Sequence, residues 1–169
     1  MRAAECSGRG LLFSFRGHDA GWARQHGPSL RTRSAPQPRD MQMHASCAAR
    51  HGQGVLILGP SGSGKSSLTL SMVRAGFTLV ADDQVVVRDR VAHCPAALAG
   101  LLEIRGVGIS RLPYLRKAQV RMVVELGETL RLPLPELHLE TGLPLLRLTR
   151  YATPSHIEAA LTAIPREYQ

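Results

Sequence analysis

The chain has 169 residues, with 21 Lys and Arg against 13 Asp and Glu, which gives a formal net charge of +8. Its 44% content of apolar residues is typical of a globular protein, and its 4% content of aromatic residues argues against a surface that stacks single-stranded nucleic acid. Because half of the positive excess lies in residues 1–40, we predict that nucleic acid is not the primary partner.

Residues 1–40 are rich in Arg, Gly, Ser and Pro and have no apolar period, so we predict an irregular basic tail. One interpretation is a disordered arm that touches a polyanion. The other is that the segment is not functional, because Met41 and Met43 stand directly before the first ordered pattern and either could be the true start. We hypothesise that the tail is dispensable, and we assign the folded domain to residues 41–169.

The first ordered pattern is a strand, a glycine-rich loop and a helix. A short strand is predicted over residues 43–47, then a turn over residues 51–54 and a buried parallel strand over the apolar run 55–58. A helix is predicted over residues 66–75, with Gly76 as the glycine that ends it.

A second strand is predicted over residues 77–81, where it stops at Asp82 and Asp83. The next two apolar runs, residues 85–87 and 91–92, flank a polar pair and predict a hairpin.

The rest of the chain predicts one more strand and one more helix, and it contains two further apolar runs. Ser155 and Glu158 form a capping-box pattern, which predicts that a last helix opens there and stops by Pro165. A short strand is predicted over residues 101–104, and residues 120–126 and 145–148 are further, largely apolar runs.

The glycine-rich loop matches the phosphate-binding pattern G-x-x-x-x-G-K-[ST], with a strand before it and a helix after it. Glycines let successive backbone N–H groups face phosphate oxygens, and the helix N-terminus favours an anion. The lysine reaches the β- and γ-phosphates of ATP, and the final serine offers its hydroxyl to Mg²⁺. The alternative is a chance match. The predicted nucleotide-binding residues are Gly59, Pro60, Ser61, Gly62, Ser63, Gly64, Lys65 and Ser66.

Two acidic residues, Asp82 and Asp83, follow the second strand at the edge where open α/β sheets bind ligands. Beside a magnesium nucleotide, one carboxylate could hold the metal while the other takes the proton from an incoming hydroxyl. The alternative is a solvated Asp-Asp turn.

Glu103 and Arg105 lie two residues apart in the predicted strand region, so they would share one face of a strand. They form either a surface ion pair or a metal-binding carboxylate beside an arginine that steadies phosphate charge. The residues alone leave both interpretations open.

Four stretches, in this order, resemble the catalytic domain of the HPr kinase/phosphorylase family over about residues 43–112. They are His-Ala-Ser at 44–46, the phosphate loop at 59–66, Leu-Val-Ala-Asp-Asp at 79–83 and Leu-Glu-Ile-Arg-Gly-Val-Gly-Ile at 102–109, of which the last is the most specific. The resemblance implies an α/β P-loop kinase domain of the phosphoenolpyruvate-carboxykinase-like type. It also implies ATP- and Mg²⁺-dependent phosphorylation of a serine on the phosphocarrier HPr or a relative, in the regulation of phosphotransferase-system metabolism.

The same resemblance implies a role for each site residue. The loop lysine binds phosphate, the loop serine and a later glutamate bind Mg²⁺, and the aspartate pair supplies the general base. A histidine before the first strand contacts that pair and orients it. Catalytic roles thus fall on His44, Lys65, Asp82, Asp83 and Arg105, and metal-binding roles on Ser66 and Glu103.

The chain departs from the family pattern in two ways. Full-length members carry a further N-terminal domain, which residues 1–40 are too short to supply, so the chain resembles the short alphaproteobacterial type. The family's later Pro-Gly-Arg stretch, used in dephosphorylation, does not occur in the sequence, which puts phosphorylase activity in question. Two alternative functions are a nucleotide-binding regulatory module without catalysis and a small-molecule P-loop kinase. The resemblance suggests hexamers.

The three cysteines, Cys6, Cys47 and Cys94, are far apart and contain no CxxC pair. An odd count without a secretory signal predicts a reduced, cytoplasmic protein. No apolar run approaches the ~20 residues of a membrane helix, so we predict no membrane span.

Overall fold

The computed structural model describes residues 40–129 and 136–164, so the predicted tail, apart from Asp40, lies outside the described residues. Two helices, α1 (Lys65–Arg74) and α2 (Pro154–Ala163), and a short 3₁₀ turn at Ala96–Leu98 accompany the strands. The strands are β1 (Met41–Met43), β2 (Ser46–Arg50), β3 (Gln53–Leu58), β4 (Thr78–Ala81), β5 (Val85–Arg88), β6 (Val91–His93), β7 (Leu101–Ile104), β8 (Gly108–Arg111), β9 (Lys117–Leu126), β10 (Glu136–Leu137) and β11 (Pro144–Leu148).

Nine strands form one mixed sheet in the order β1-β5-β6-β9-β3-β2-β4, with β11 beside the C-terminal half of β9 and β10 beside β11. Strand β9 runs parallel to β3 and β11, and the other pairings in this sheet are antiparallel. Strands β7 and β8 form a separate antiparallel hairpin. The α/β fold expected from the sequence is confirmed.

The predicted strand over residues 43–47 is wrong, because His44 and Ala45 separate two strands. β1 is the first strand in the sheet order and β2 is the last but one, yet only these two residues join them. The sheet must therefore curl until the two strands come within about 11 Å, the reach of three residues.

The curled sheet has an apolar core on each face, as expected for strands buried on both sides. Leu56 packs with Val80, Val85 and Val123 on one face. On the other face, neighbours of Leu56 in β3 pack with side chains from both helices. The second group is Val55, Ile57, Leu68, Met72 and Ile157. Full burial of one such side chain contributes about 1.5–3 kcal/mol.

Helix α1 ends at the predicted glycine. The Gly76 N–H donates to Val73 O at 3.1 Å, and the Phe77 N–H donates to Met72 O at 3.0 Å. With Gly76 at φ 97°, these two bonds form a Schellman motif, and Phe77 is buried against the helix it follows.

Helix α2 begins two residues earlier than predicted, because its N-cap is Thr153 and not Ser155. The capping box is formed by Thr153 and His156, with Pro154 as the first helical residue, and not by Ser155 and Glu158. Proline suits the first position because its missing N–H has no helical acceptor there. Glu158 instead forms an ion pair with Arg50, so its side chain ties α2 to β2.

The predicted hairpin is confirmed. The Asp89-Arg90 pair turns between β5 and β6, with both residues at positive φ, as a type I′ hairpin requires.

Asp40, which the sequence placed in the irregular tail, forms a bidentate ion pair with Arg88 of β5. Among the described helices, none is long and apolar enough to cross a membrane.

Strands β3 and β4 both run antiparallel to β2, so they run in the same direction and end at the same edge. β2 begins between those two ends, with Ser46 opposite Ile57 and Cys47 opposite Ala81. The phosphate loop, the start of β2 and the aspartate pair therefore meet at this edge, which we call the site edge.

Candidate active site

A pocket at the site edge brings together every residue for which the sequence predicts a catalytic or metal-binding role. Three further residues of the phosphate loop, Ser61, Gly62 and Gly64, also line it. The predicted catalytic and metal-binding residues in its wall are His44, Lys65, Ser66, Asp82, Asp83, Glu103 and Arg105.

The phosphate loop owes its shape to glycine at two positions. Gly59 has φ 145°, and a Cβ there would lie 2.7 Å from Ser63 Oγ and 2.8 Å from Leu126 O. Gly64, at φ 100°, stands directly before α1 and lets the chain enter the helix from the left-handed region. Gly59, Pro60 and Ser63, which the sequence also predicts to bind nucleotide, do not line the pocket.

Lys65 points its ammonium into the loop. It is only 7% exposed, and Nζ donates to Gly59 O at 2.9 Å and to Pro60 O at 3.1 Å. The first turn of α1 contains no acidic residue. A buried ammonium and the positive end of a helix therefore point at the same place, which is the arrangement that attracts phosphate.

Asp82 is the polar centre of the site edge. It is 4% exposed and accepts three hydrogen bonds from three different parts of the chain. Oδ1 accepts from Ser46 Oγ at 2.5 Å and from Ser66 Oγ at 3.1 Å, while Oδ2 accepts from the Glu103 N–H at 3.3 Å. These bonds connect β2, the start of α1 and β7 through one carboxylate.

Asp83 points elsewhere, because the chain reverses sharply at this residue. Gln84 N–H donates to Asp82 O at 2.8 Å around Asp83, which has φ 68°. Positive φ is uncommon for a residue other than glycine, and such strained residues concentrate at functional sites. The Asp83 side chain is 63% exposed and lies at the mouth of the pocket.

His44 lies beside Asp83. Its Nδ1 is 3.0 Å from the backbone oxygen of Asp83 and 3.1 Å from Oδ1. Both neighbours are acceptors, so this geometry assigns a proton to Nδ1. The pair is exposed and contributes little to stability, but it fixes where the Asp83 carboxylate lies.

Glu103 and Arg105 share the pocket but not a strand face. β7 ends at Ile104, and Arg105 lies in the turn that leads to β8, which corrects the expected strand pairing. The turn residue still reaches the pocket wall, and the Glu103 backbone is tied to Asp82. No Glu103–Arg105 ion pair occurs among the described side chains.

The residues present fit a magnesium nucleotide. The described residues contain no cluster of three or more His, Cys, Asp or Glu side chains that could hold a metal alone. Mg²⁺ does not need one, because it takes one or two protein oxygens and completes its shell with phosphate and water. Ser66 and Glu103, for which the sequence predicts metal binding, both line the pocket together with Lys65 of the phosphate loop.

Sequence reasoning missed two features of the site edge. Ser46, fully buried, is the closest donor to Asp82, and its only sequence signal is its place in the His-Ala-Ser stretch. The second feature is an apolar tip on the β7–β8 hairpin, where Val107 is 76% exposed and Ile109 is 72% exposed. Ile109 is the cross-strand partner of Glu103, so it stands on the face that lines the pocket.

Three comparisons with known proteins agree. Residues 37–128 match the family model described as the HPr Serine kinase C-terminal domain. An HPr kinase/phosphorylase of Cupriavidus necator is 40% identical over 130 residues, which covers 66% of this chain and 39% of that protein. A relative of the same name from Listeria welshimeri is 44% identical over 85 residues, covering 47% of this chain and 26% of that protein.

One solved structure has a similar fold. It is the HPr(Ser) kinase/phosphatase from Coxiella burnetii, with a TM-score of 0.61 and 25% identity, covering 72% of this chain and 94% of that one. The chain spans 39% of the length of the Cupriavidus necator relative, so it corresponds to a part of such a protein.

Proposed function

The chain belongs to the HPr kinase C-terminal domain family, and from that membership we propose that it is an ATP- and Mg²⁺-dependent kinase for a serine of HPr or a related phosphocarrier. The observation that carries this proposal is the pocket in which a phosphate loop and two differently placed aspartates face each other. A bound nucleotide, a metal and an acceptor hydroxyl each have a matching group in its wall.

Lys65 and the start of α1 would hold the phosphates of the nucleotide. Ser66 donates its own proton to Asp82, which leaves the oxygen lone pairs of Ser66 available for Mg²⁺. Glu103 would be the second protein ligand, and Arg105, in the turn after it, would steady the charge on the transferred phosphate.

Asp83 is the better candidate for the general base. A base must reach the acceptor hydroxyl, and Asp83 is exposed at the pocket mouth whereas Asp82 is buried and already accepts three hydrogen bonds. Bound ATP would supply the phosphoryl group, whose bond to ADP breaks as its bond to the serine oxygen forms. The Asp83 carboxylate would take the serine proton, and His44 would hold that carboxylate in place.

The rim of the pocket favours a protein acceptor over a small molecule. Ile109, opposite the pocket-lining Glu103, and Val107, in the turn of the same hairpin, place apolar surface outside the cavity itself. A small substrate would be enclosed by the pocket and would leave this surface uncovered, whereas a folded substrate would pack against it.

The broader setting follows from the family. We propose a cytoplasmic enzyme that regulates a phosphotransferase system through its phosphocarrier, that phosphorylates more readily than it dephosphorylates, and that forms hexamers. We also propose that the catalytic domain is residues 41–169 and that the preceding tail is dispensable. We expect dephosphorylation to be the weaker of the two activities, because the Pro-Gly-Arg stretch used for it does not occur in the sequence.

The test combines nucleotide binding with transfer. The full chain is incubated with Mg²⁺·ATP and purified HPr, phosphoserine is measured by mass spectrometry, and nucleotide affinity is measured by calorimetry. We expect both binding and a phosphorylated HPr serine. Binding without transfer would instead support the regulatory module, for which the missing arginine stretch is the favouring observation.

A further inference from the structure

Ser46 is a fully buried polar residue at the first position of β2, between the ends of β3 and β4. Its hydroxyl donates to Asp82 Oδ1 at 2.5 Å, the shortest of the three hydrogen bonds to that carboxylate. A buried hydroxyl needs a partner, and a buried carboxylate needs several donors, so each stabilises the other.

The same carboxylate oxygen receives the Ser66 hydroxyl at 3.1 Å. A hydroxyl that coordinates a metal must direct its proton away from the metal. The Ser66 proton points at Asp82 Oδ1, which accepts it in a hydrogen bond. The rotation of the Asp82 carboxylate therefore decides which way the Ser66 oxygen faces. Ser46 and the Glu103 N–H are the groups that fix this rotation from the other sides.

We propose that Ser46 is a positioning residue for the metal: it locks the Asp82 carboxylate so that Ser66 and Glu103 keep their oxygens toward the metal position. It touches neither the metal nor the nucleotide, and it acts through Asp82. This inference rests on the proposed Mg²⁺·ATP site, but it requires only binding and no transfer to HPr. It also gives the His-Ala-Ser stretch a second chemical role, besides that of His44 on Asp83.

The first test measures metal affinity directly. Mn²⁺ is titrated into the full chain saturated with ADP, and free Mn²⁺ is followed by electron paramagnetic resonance. Outer groups that orient metal ligands typically change metal affinity by about 10- to 100-fold, so we expect Ser46→Ala to weaken Mn²⁺ binding by about 10-fold. Metal-free ADP affinity should stay within about 2-fold, because the hydrogen bond of the Ser46 side chain goes to Asp82 and not to the phosphate loop. An unchanged Mn²⁺ affinity would overturn the proposal.

A matched control separates positioning from general loss of structure. Thr141 is also a buried hydroxyl residue, and it bonds to His138 and the Leu143 N–H, away from Asp82. Thr141→Val should leave Mn²⁺ affinity unchanged. If Thr141→Val weakened metal binding as much as Ser46→Ala, the effect would reflect loosened packing and the proposal would fail.

A double-mutant cycle tests whether Ser46 acts through Asp82. In an Asp82→Asn background, Ser46→Ala should change Mn²⁺ affinity by less than about 2-fold, because the group that Ser46 orients has already been altered. A full, independent loss in both backgrounds would contradict the proposal. Failure of the kinase proposal would appear differently, as absent transfer by the wild type with this binding pattern intact.

Discussion

Asp82 and Asp83 are adjacent in the chain, but their carboxylates lie in opposite environments. Asp82 is buried and accepts hydrogen bonds from Ser46, Ser66 and the Glu103 N–H, whereas Asp83 is exposed beside His44. The turn with Asp83 at φ 68° produces this separation. In the proposed function, this separation would let one carboxylate organise the metal ligands while the other stays accessible to an acceptor.

Asp83→Asn should abolish transfer and leave binding intact. Loss of a general base typically lowers the rate by about 10²- to 10⁴-fold. Asparagine tolerates positive φ about as well as aspartate, so the turn should be preserved. The measurement is kcat for phosphoserine formation together with ATP affinity by calorimetry. If kcat fell by less than about 3-fold, the base would have to be another group.

The two aspartates should differ in their effect on stability. Asp82→Asn places an amide nitrogen or a single oxygen where a buried carboxylate accepts three hydrogen bonds, and we expect it to lower the free energy of unfolding by about 1–3 kcal/mol. Asp83→Asn alters an exposed side chain and should change it by less than about 0.5 kcal/mol. Urea unfolding followed by circular dichroism compares them. Equal losses in the two variants would argue against the buried role of Asp82.

Lys65→Ala should weaken ATP binding. A charge-assisted hydrogen bond contributes about 1.5–3 kcal/mol, so we expect ATP affinity to fall by about 10- to 150-fold in calorimetry. The only other lysine, Lys117, is a matched control, because it is exposed at the start of β9. β9 runs parallel to β3, so its first residue lies at the edge opposite the phosphate loop. Lys117→Ala should bind ATP as the wild type does; a comparable loss would indicate a general charge effect.

The exposed hairpin tip should matter for the protein acceptor. Replacing Val107 and Ile109 together by serine should raise the KM for HPr by about 10-fold or more, while the KM for ATP changes little. Leu139→Ser is the control, since Leu139 is 99% exposed but lies between β10 and the start of β11, opposite the site edge. Parallel rises in both KM values would show that the hairpin supports the nucleotide pocket rather than the acceptor.

Cys47 should be unreactive in the native protein. Complete burial raises the pKa of its thiol to about 12, so the nucleophilic thiolate hardly forms near neutral pH. Iodoacetamide labelling at pH 8, read by peptide mass spectrometry, should modify Cys47 only after unfolding in urea. The same shift predicts that stability is unaffected below pH 9 and falls as the pH rises toward 12, because the unfolded thiol ionises first. Rapid native labelling of Cys47 would contradict its burial.

Much of this site could be predicted because its chemistry is local in sequence. The glycine spacing predicts the phosphate loop directly. Asp82 and Asp83 are predicted site residues because they follow an apolar strand. The apolar run 55–58 correctly predicted a strand, because both faces of β3 are buried and such a strand needs apolar residues at successive positions. Long-range pairing was needed for the rest, since nothing near Ser46 in the chain indicates that its partner lies 36 residues away.

Two errors show the same limit. The strand over residues 43–47 looked continuous, but tertiary pairing assigns its halves to different neighbours, β5 and β3. The capping-box pattern at Ser155 and Glu158 fits the local sequence, but the helix begins at Pro154 with Thr153 as its N-cap. The Glu158 carboxylate forms an ion pair with Arg50 instead. Local propensity predicts that an element exists, and contacts across the sheet decide where it begins.

The most direct measurement follows phosphoserine on HPr over time, with wild type and Asp83→Asn assayed in parallel in Mg²⁺·ATP. We expect steady phosphorylation of one HPr serine by the wild type and almost none by Asp83→Asn, although both bind ATP equally. The proposed kinase mechanism would be contradicted if both proteins bound ATP and neither formed phosphoserine, or if both transferred phosphate at equal rates.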